Sequence, residues 1–127
     1  MKEISGNTRL FGILADPIHH VKTPQRMNEL FAKIGFDGVC VPFHARPDNL
    51  AVVVGGLRRL ENLGGVIITM PHNTALLDLV DEVTPVARRI GAANVVRRDP
   101  DGRLVAHMLD GDCLLYTSDA ADDMQCV

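Results

Sequence analysis

Tryptophan is absent from the 127-residue chain, which contains only one Tyr and four Phe. Proteins that bind single-stranded nucleic acid stack the bases on aromatic side chains, so this composition argues against such a surface. The 13 basic residues are outnumbered by 16 acidic ones, giving a net charge of −3 with Lys and Arg scattered singly. A nucleic-acid partner is therefore not expected.

Long apolar runs are also missing. None approaches the roughly 18 to 20 residues that a transmembrane helix requires, so no membrane partner is expected. The first residues reach charges and Pro17 too early for a secretory signal peptide. The three Cys are an odd number without paired spacing, which is typical of a reducing compartment. The sequence thus predicts a cytoplasmic protein without a disulfide framework.

Paired metal-ligand motifs are lacking as well. The five His occur without a His-x-x-x-His pair, and no Cys-x-x-Cys is present. A metal site is therefore not expected. Cys40 has apolar neighbours in a predicted strand, which favours a buried side chain over a nucleophile.

Hydrophobic periodicity predicts strands that alternate with amphipathic helices. Thr23 is predicted as the N-cap of the first helix, Pro24 as its first residue, and Gly35 as its end. Later helices are predicted from Pro47 to the Gly64-Gly65 pair, over 75–80, and over 85–90. Strands are predicted over 9–15, 38–43, 66–69, 94–98 and 104–109, the last two forming a hairpin. This order predicts a three-layer α/β sandwich with a mainly parallel sheet and a mixed edge.

Polar clusters follow several of these strands. In open α/β sheets ligands bind outside the carboxyl ends of the strands. Each cluster alone is explained by turns and caps, but their recurrence at successive strand ends favours one shared site. The clusters occupy 16–24, 69–73, 91–94 and 108–111.

These clusters carry recognisable motifs in a fixed order. They read Ala15-Asp16-Pro17, His20-Val21-Lys22-Thr23-Pro24, Val41-Pro42-Phe43, Ile67-Ile68-Thr69-Met70-Pro71-His72-Asn73, Gly91-Ala92-Ala93-Asn94-Val95 and Met108-Leu109-Asp110-Gly111. In order and spacing they resemble the N-terminal, substrate-binding domain of shikimate dehydrogenases, from about residue 9 to residue 111. The resemblance implies that fold and an NADP-dependent oxidoreductase that interconverts 3-dehydroshikimate and shikimate in aromatic amino acid biosynthesis.

The resemblance also assigns roles to individual residues. Thr23, Thr69 and Asn94 match substrate-binding positions, so the implied partner is a small hydroxy-carboxylate. Asp110 matches one member of the family's catalytic pair, and Asn73 stands at the position of the other, a Lys.

Three residues depart from the family pattern. Val21 replaces a substrate-binding hydroxyl and Met108 replaces an Asn. Asn73 cannot titrate near neutral pH as the Lys would. The protein is then either a divergent relative with a less polar substrate or an enzyme in which Asn73 is a lesion or sequence error. Lys22 or His72 could supply the proton instead, although a solvated surface position is the simpler interpretation of each.

The domain boundaries are predicted from the same comparison. Residues 1–112 form the substrate-binding domain, and 113–127 are expected to be a non-native or disordered tail. That tail resembles translated transposase-adapter DNA, the alternative being a natural C-terminal segment. No Gly-x-Gly-x-x-Gly is present, so the NADP-binding domain is expected to be absent and NADP to be bound only by an intact protein.

Three functions remain open at this point. The first is the substrate-binding half of a shikimate or quinate dehydrogenase, inactive alone. The second is a non-catalytic binding or regulatory module that lost the Lys. The third is another two-domain dehydrogenase of similar fold, such as one acting on folates.

Overall fold

The structure, a computed structural model, describes residues 3–109. Asp110 and the tail at 113–127 therefore lie outside the described residues. The helices and strands, in chain order, are β1 (Arg9–Ala15), α1 (Thr23–Ile34), β2 (Gly38–His44), α2 (Leu50–Leu57), β3 (Leu63–Ile68), β4 (Glu82–Val83), α3 (Pro85–Ile90), β5 (Val95–Arg98) and β6 (Leu104–His107). Short 3-10 helices span Pro47–Asn49 and Ala75–Leu79.

The six strands form one mixed sheet in the order β2-β1-β3-β5-β6-β4. β1 pairs parallel with β2 and β3, and β4 pairs parallel with β6. Among the described strands, β5 alone runs against the others, because it pairs antiparallel with both β3 and β6. The predicted mainly parallel α/β sheet and its closing hairpin are confirmed. The hairpin does not form the edge, however, because β4 pairs outside it.

Helices cover both faces of the sheet. On one face, α1 places the Phe31 ring 5.4 Å from the Phe11 ring of β1. On the other face, Leu14 of β1 joins a buried cluster with Leu50 and Val54 of α2. Residues three apart on a strand point to opposite faces, so Phe11 and Leu14 separate the two layers. The predicted three-layer architecture follows from this alternation.

The start of β3 corrects the predicted end of the second helix. The Gly64-Gly65 pair was expected to stop that helix, but both residues belong to β3 and α2 ends at Leu57. A Cβ on Gly64 would lie 2.5 Å from the Phe11 ring, and one on Gly65 would lie 2.8 Å from the Val96 carbonyl oxygen. These glycines therefore permit close strand packing rather than helix termination.

Two further local predictions change. The predicted helix over 75–80 is the 3-10 helix Ala75–Leu79. Thr23 is the first residue of α1 rather than its N-cap, since Lys22 occupies the cap position without a side-chain hydrogen bond. Thr84 does cap α3, accepting a hydrogen bond from the Ala87 N–H at 3.4 Å.

The edge strand β2 has a side chain bound along its open side. The Asn28 amide of α1 donates to the Cys40 carbonyl at 3.0 Å and accepts from the Cys40 N–H at 2.8 Å. Pro42, two residues further along the same side, has no N–H to offer. Asn28 and Pro42 thus remove part of the row of donors that an edge strand exposes.

Candidate functional site

The loops after β1 and β3 meet at the carboxyl edge of the sheet. The Thr69 N–H donates to the Leu14 carbonyl at 3.1 Å, and the Asp16 N–H donates to the Met70 carbonyl at 3.2 Å. Asp16 also binds His44 at the end of β2, with 2.8 Å between Oδ1 and Nε2. The ends of three neighbouring strands are therefore joined. The meeting of the clusters at 16–24 and 69–73 was predicted, whereas the contribution of His44 was not.

Asn94 connects this edge of the sheet to the segment that follows β6. Its carbonyl accepts from the Ile68 N–H at 2.8 Å, and its N–H donates to the His107 carbonyl at 3.0 Å. Its side chain donates from Nδ2 to the Leu109 carbonyl at 2.5 Å and accepts from the Leu109 N–H at 2.9 Å. Asn94 thus fixes the backbone immediately before Asp110.

Asn73 is bound to the same part of the backbone. Its Nδ2 donates to the Ile68 carbonyl at 3.1 Å and to the Ala93 carbonyl at 2.9 Å. The Ala93 N–H in turn donates to the Asn73 carbonyl at 2.9 Å. Ile68 precedes Thr69 and Ala93 precedes Asn94, so these bonds hold two predicted substrate-binding residues in one arrangement.

His72 lies beneath this loop rather than on the surface. Its side chain is buried and its Nε2–H donates to the Ala45 carbonyl at 2.8 Å. The expected solvated position of His72 is therefore wrong, whereas Lys22 is exposed as expected. His72 anchors the loop after β3 to the loop after β2. One sequence signal could have suggested that His72 is buried. It directly follows Pro71, in a loop that must turn back over the sheet edge.

Val21 and Thr23 lie at the start of α1, which follows the loop after β1. Both are half-buried. Because Lys22 is the cap residue, the Thr23 hydroxyl is not used to cap α1. Within residues 3–109, hydrogen bonds join the neighbourhoods of Thr69, Asn73 and Asn94, whereas none joins Val21 or Thr23 to them. Their convergence with Asp110 on a single cleft stays a prediction.

Cys40 has no features of a nucleophile. It is a free, buried thiol, and burial raises its pKa to about 11. A thiol with that pKa stays protonated at neutral pH, and the thiolate is the reactive form. The predicted structural role of Cys40 is confirmed.

Sequence reasoning missed a groove on the face of the sheet that α1 only partly covers. Its volume is about 590 Å³, and its lining includes Phe31, Ile67, Val95 and Leu109. Burial, and then the positive charge of nearby Arg97, lower the pKa of His107 at the groove below its ordinary 6.5. β5 gave no clear signal for this apolar face, because the exposed Arg97 lies on the same face as Val95.

Some kinds of site are not found in the described part of the chain. Residues 3–109 contain no group of three or more His, Cys, Asp or Glu placed to hold a metal ion. No helix within the same residues is both long enough and apolar enough to cross a membrane.

The family is decided by a direct match. A family model described as the shikimate dehydrogenase substrate binding domain matches residues 13–96. The chain belongs to this family. The match includes the loops of Thr69, Asn73 and Asn94, so the sequence motifs identified the family correctly.

Relatives of known sequence and structure agree with that assignment. The shikimate dehydrogenase (NADP(+)) of Geobacter metallireducens is 42% identical over 110 residues, covering 87% of this chain and 38% of that protein. A crystal structure of shikimate 5-dehydrogenase from Listeria monocytogenes, in complex with shikimate and NAD, superposes with a TM-score of 0.82 at 38% identity. It covers 91% of this chain and 39% of the other.

One structural relative has a different named activity. The ligand-free 5-ketofructose reductase of a Gluconobacter strain superposes with a TM-score of 0.80 at 27% identity, covering 89% of this chain and 40% of that chain. The chain therefore spans less than half the length of these relatives, all of which are oxidoreductases by name.

Proposed function

We propose that the chain is the substrate-binding half of an NADP-dependent oxidoreductase of the shikimate or quinate dehydrogenase type. Its partner would be a small hydroxy-carboxylate such as shikimate. The observation that carries the proposal is the hydrogen-bonded link between the loops of Thr69, Asn73 and Asn94 at the carboxyl edge of the sheet. The site so formed is the part of the fold in which such ligands bind.

The chain's own residues do not fit a dinucleotide. They include no Gly-x-Gly-x-x-Gly before a helix, which is the motif that lets a backbone approach the pyrophosphate. In this proposal NADP is bound by another part of a longer protein, residues 1–112 bind the substrate, and residues 113–127 are not native. The setting is cytoplasmic, which the free Cys40 thiol supports.

Within the proposed enzyme, Thr69 and Asn94 bind ligand hydroxyls or the carboxylate. The Thr23 hydroxyl, which does not cap α1, also binds the ligand. Asp110 is the proposed catalytic carboxylate. Asn94 acts twice, because it also holds the Leu109 backbone that precedes Asp110. Val21 contributes only apolar contact, which favours a ligand with one polar group fewer at that point.

Shikimate affinity of the chain tests the proposal. Millimolar shikimate titrated into the 127-residue chain, followed by NMR, should show saturable binding. Thr69→Val removes the hydroxyl while keeping the shape, and should weaken binding about five- to ten-fold. Thr74→Val is the matched control, because Thr74 is exposed and its side chain caps nothing. Equal affinity of the two variants would contradict a binding role for Thr69.

A non-catalytic binding module is the second candidate, and Asn73 favours it. The Asn73 side chain does not titrate near neutral pH, and its amide hydrogens are bound to backbone carbonyls. A chimera with the cofactor domain of a relative separates the two candidates. For an enzyme, Asn73→Lys should raise shikimate turnover about 10²-fold, as general acid–base catalysis supplies. A binding module would show no turnover with either residue.

A further inference from the structure

The amide of Asn73 has only one kind of hydrogen bond left to offer. Its nitrogen carries two hydrogens, and both are donated, to the Ile68 and Ala93 carbonyls at 3.1 and 2.9 Å. Both partners are backbone carbonyl oxygens, which accept and cannot donate. The orientation of the amide is therefore fixed by its partners, and an amide turned the other way would bring oxygen against oxygen twice.

The remaining atom, Asn73 Oδ1, has no hydrogen-bond partner within residues 3–109. Asn73 is only half-buried, and no buried side-chain nitrogen or oxygen of the described residues lacks a partner. No donor within the described residues therefore occupies Oδ1, which can accept a hydrogen bond from a bound molecule. Asn73 lies in the loop after β3 and binds the residues next to Thr69 and Asn94, so its Oδ1 borders the proposed binding site.

We propose that Asn73 is a specificity-determining residue that selects a ligand hydroxyl over a ligand ketone. This inference rests on the proposed function, because it concerns the ligand of the same site. An Oδ1 acceptor pairs with a hydroxyl, which can donate. A ketone oxygen only accepts, so it would face Oδ1 unpaired and lose its hydrogen bonds to water without replacement. The preferred ligand class is thus the polyhydroxy carboxylate in its alcohol form.

The oxidised and reduced forms of one ring acid provide the test. Shikimate carries a hydroxyl where 3-dehydroshikimate carries a ketone, so the ratio of their dissociation constants reports this discrimination. NMR titrations of the 127-residue chain should show shikimate binding about 10-fold more tightly. Asn73→Ala should bring the ratio close to one.

The ratio separates specificity from stability. Loss of the two backbone bonds alone would weaken both ligands equally and leave the ratio unchanged, and that result with Asn73→Ala would overturn the inference. Asn62→Ala, an exposed Asn in the turn before β3, is the control and should leave both affinities unchanged. If the unmodified chain bound shikimate and 3-dehydroshikimate equally, that result alone would overturn this inference, while the proposed function would stand. Failure of both ligands to bind would contradict the proposed function, and this inference with it.

Discussion

Asn94 binds the backbone of Leu109 through both of its polar side-chain atoms. Nδ2 donates to the Leu109 carbonyl and Oδ1 accepts from the Leu109 N–H. The strand end that leads to Asp110 is therefore held by the residue that the family resemblance assigns to substrate. Binding and positioning are combined in one side chain.

Removing this side chain should destabilise the fold. Asn94→Ala leaves the Leu109 N–H and carbonyl without their partner, and we expect it to lower the free energy of unfolding by about 1–3 kcal/mol. Urea denaturation measures the change. Asn62→Ala, at an exposed position, should stay within about 0.5 kcal/mol of the unmodified chain. Equal effects of the two substitutions would contradict the structural role of Asn94.

Two glycines should respond in opposite directions to the same substitution. Gly65→Ala places a Cβ 2.8 Å from the Val96 carbonyl oxygen, and the forced strand separation should cost about 1–3 kcal/mol. Gly55 lies within α2 and has no atom within 4 Å of an added Cβ. Gly55→Ala should therefore stabilise the chain by about 0.5–1 kcal/mol. Thermal unfolding of both variants checks the signs, and a stabilising Gly65→Ala would show that β3 and β5 are not packed this closely.

Asp81 should make stability depend on acidic pH. The Leu104 N–H and the Arg58 guanidinium, which bind the carboxylate at 2.8 and 2.6 Å, hold the pKa of Asp81 below its ordinary 3.8. A lowered pKa in the folded state stabilises the fold above 3.8, and this contribution is lost as the pH falls below 3.8 through the folded value. Unfolding free energies at neutral and acidic pH should therefore differ less for Asp81→Asn than for the unmodified chain.

The comparison for Asp81 requires a carboxylate without such partners. Asp78 is exposed in the 3-10 helix, so Asp78→Asn should leave the acid-side loss of stability in place. A pH dependence that disappears equally in both variants would contradict the assignment to Asp81.

The fold was largely predictable from the sequence because its main elements have strong local signals. β1 and α1 have the predicted apolar patterns, and Gly35 ends α1 with φ at 73°, as a terminating Gly should. β4 was missed because two residues give no periodicity. The glycines at the start of β3 were misread as a helix end. They are required by close contacts with Phe11 and Val96 on neighbouring strands, which local sequence does not reveal.

The meeting of the loops of Thr69, Asn73 and Asn94 at one sheet edge was predictable from the motifs, but their hydrogen bonds were not. The sequence did not reveal that both hydrogens of the Asn73 amide are bound by carbonyls, because those partners are backbone atoms that any residue possesses. Burial of His72 was missed for the same reason, since its partner is the Ala45 carbonyl.

Mapping shikimate binding by NMR tests the central claim most directly. The claim is that one ligand site lies at the carboxyl edge of the sheet. Titration of the chain should produce saturable chemical-shift changes at the backbone amides of Thr23, Thr69, Asn73 and Asn94, all fitting one dissociation constant. Saturable changes confined to the far edge around Arg58 and Arg103, or no saturable change at millimolar shikimate, would contradict the account.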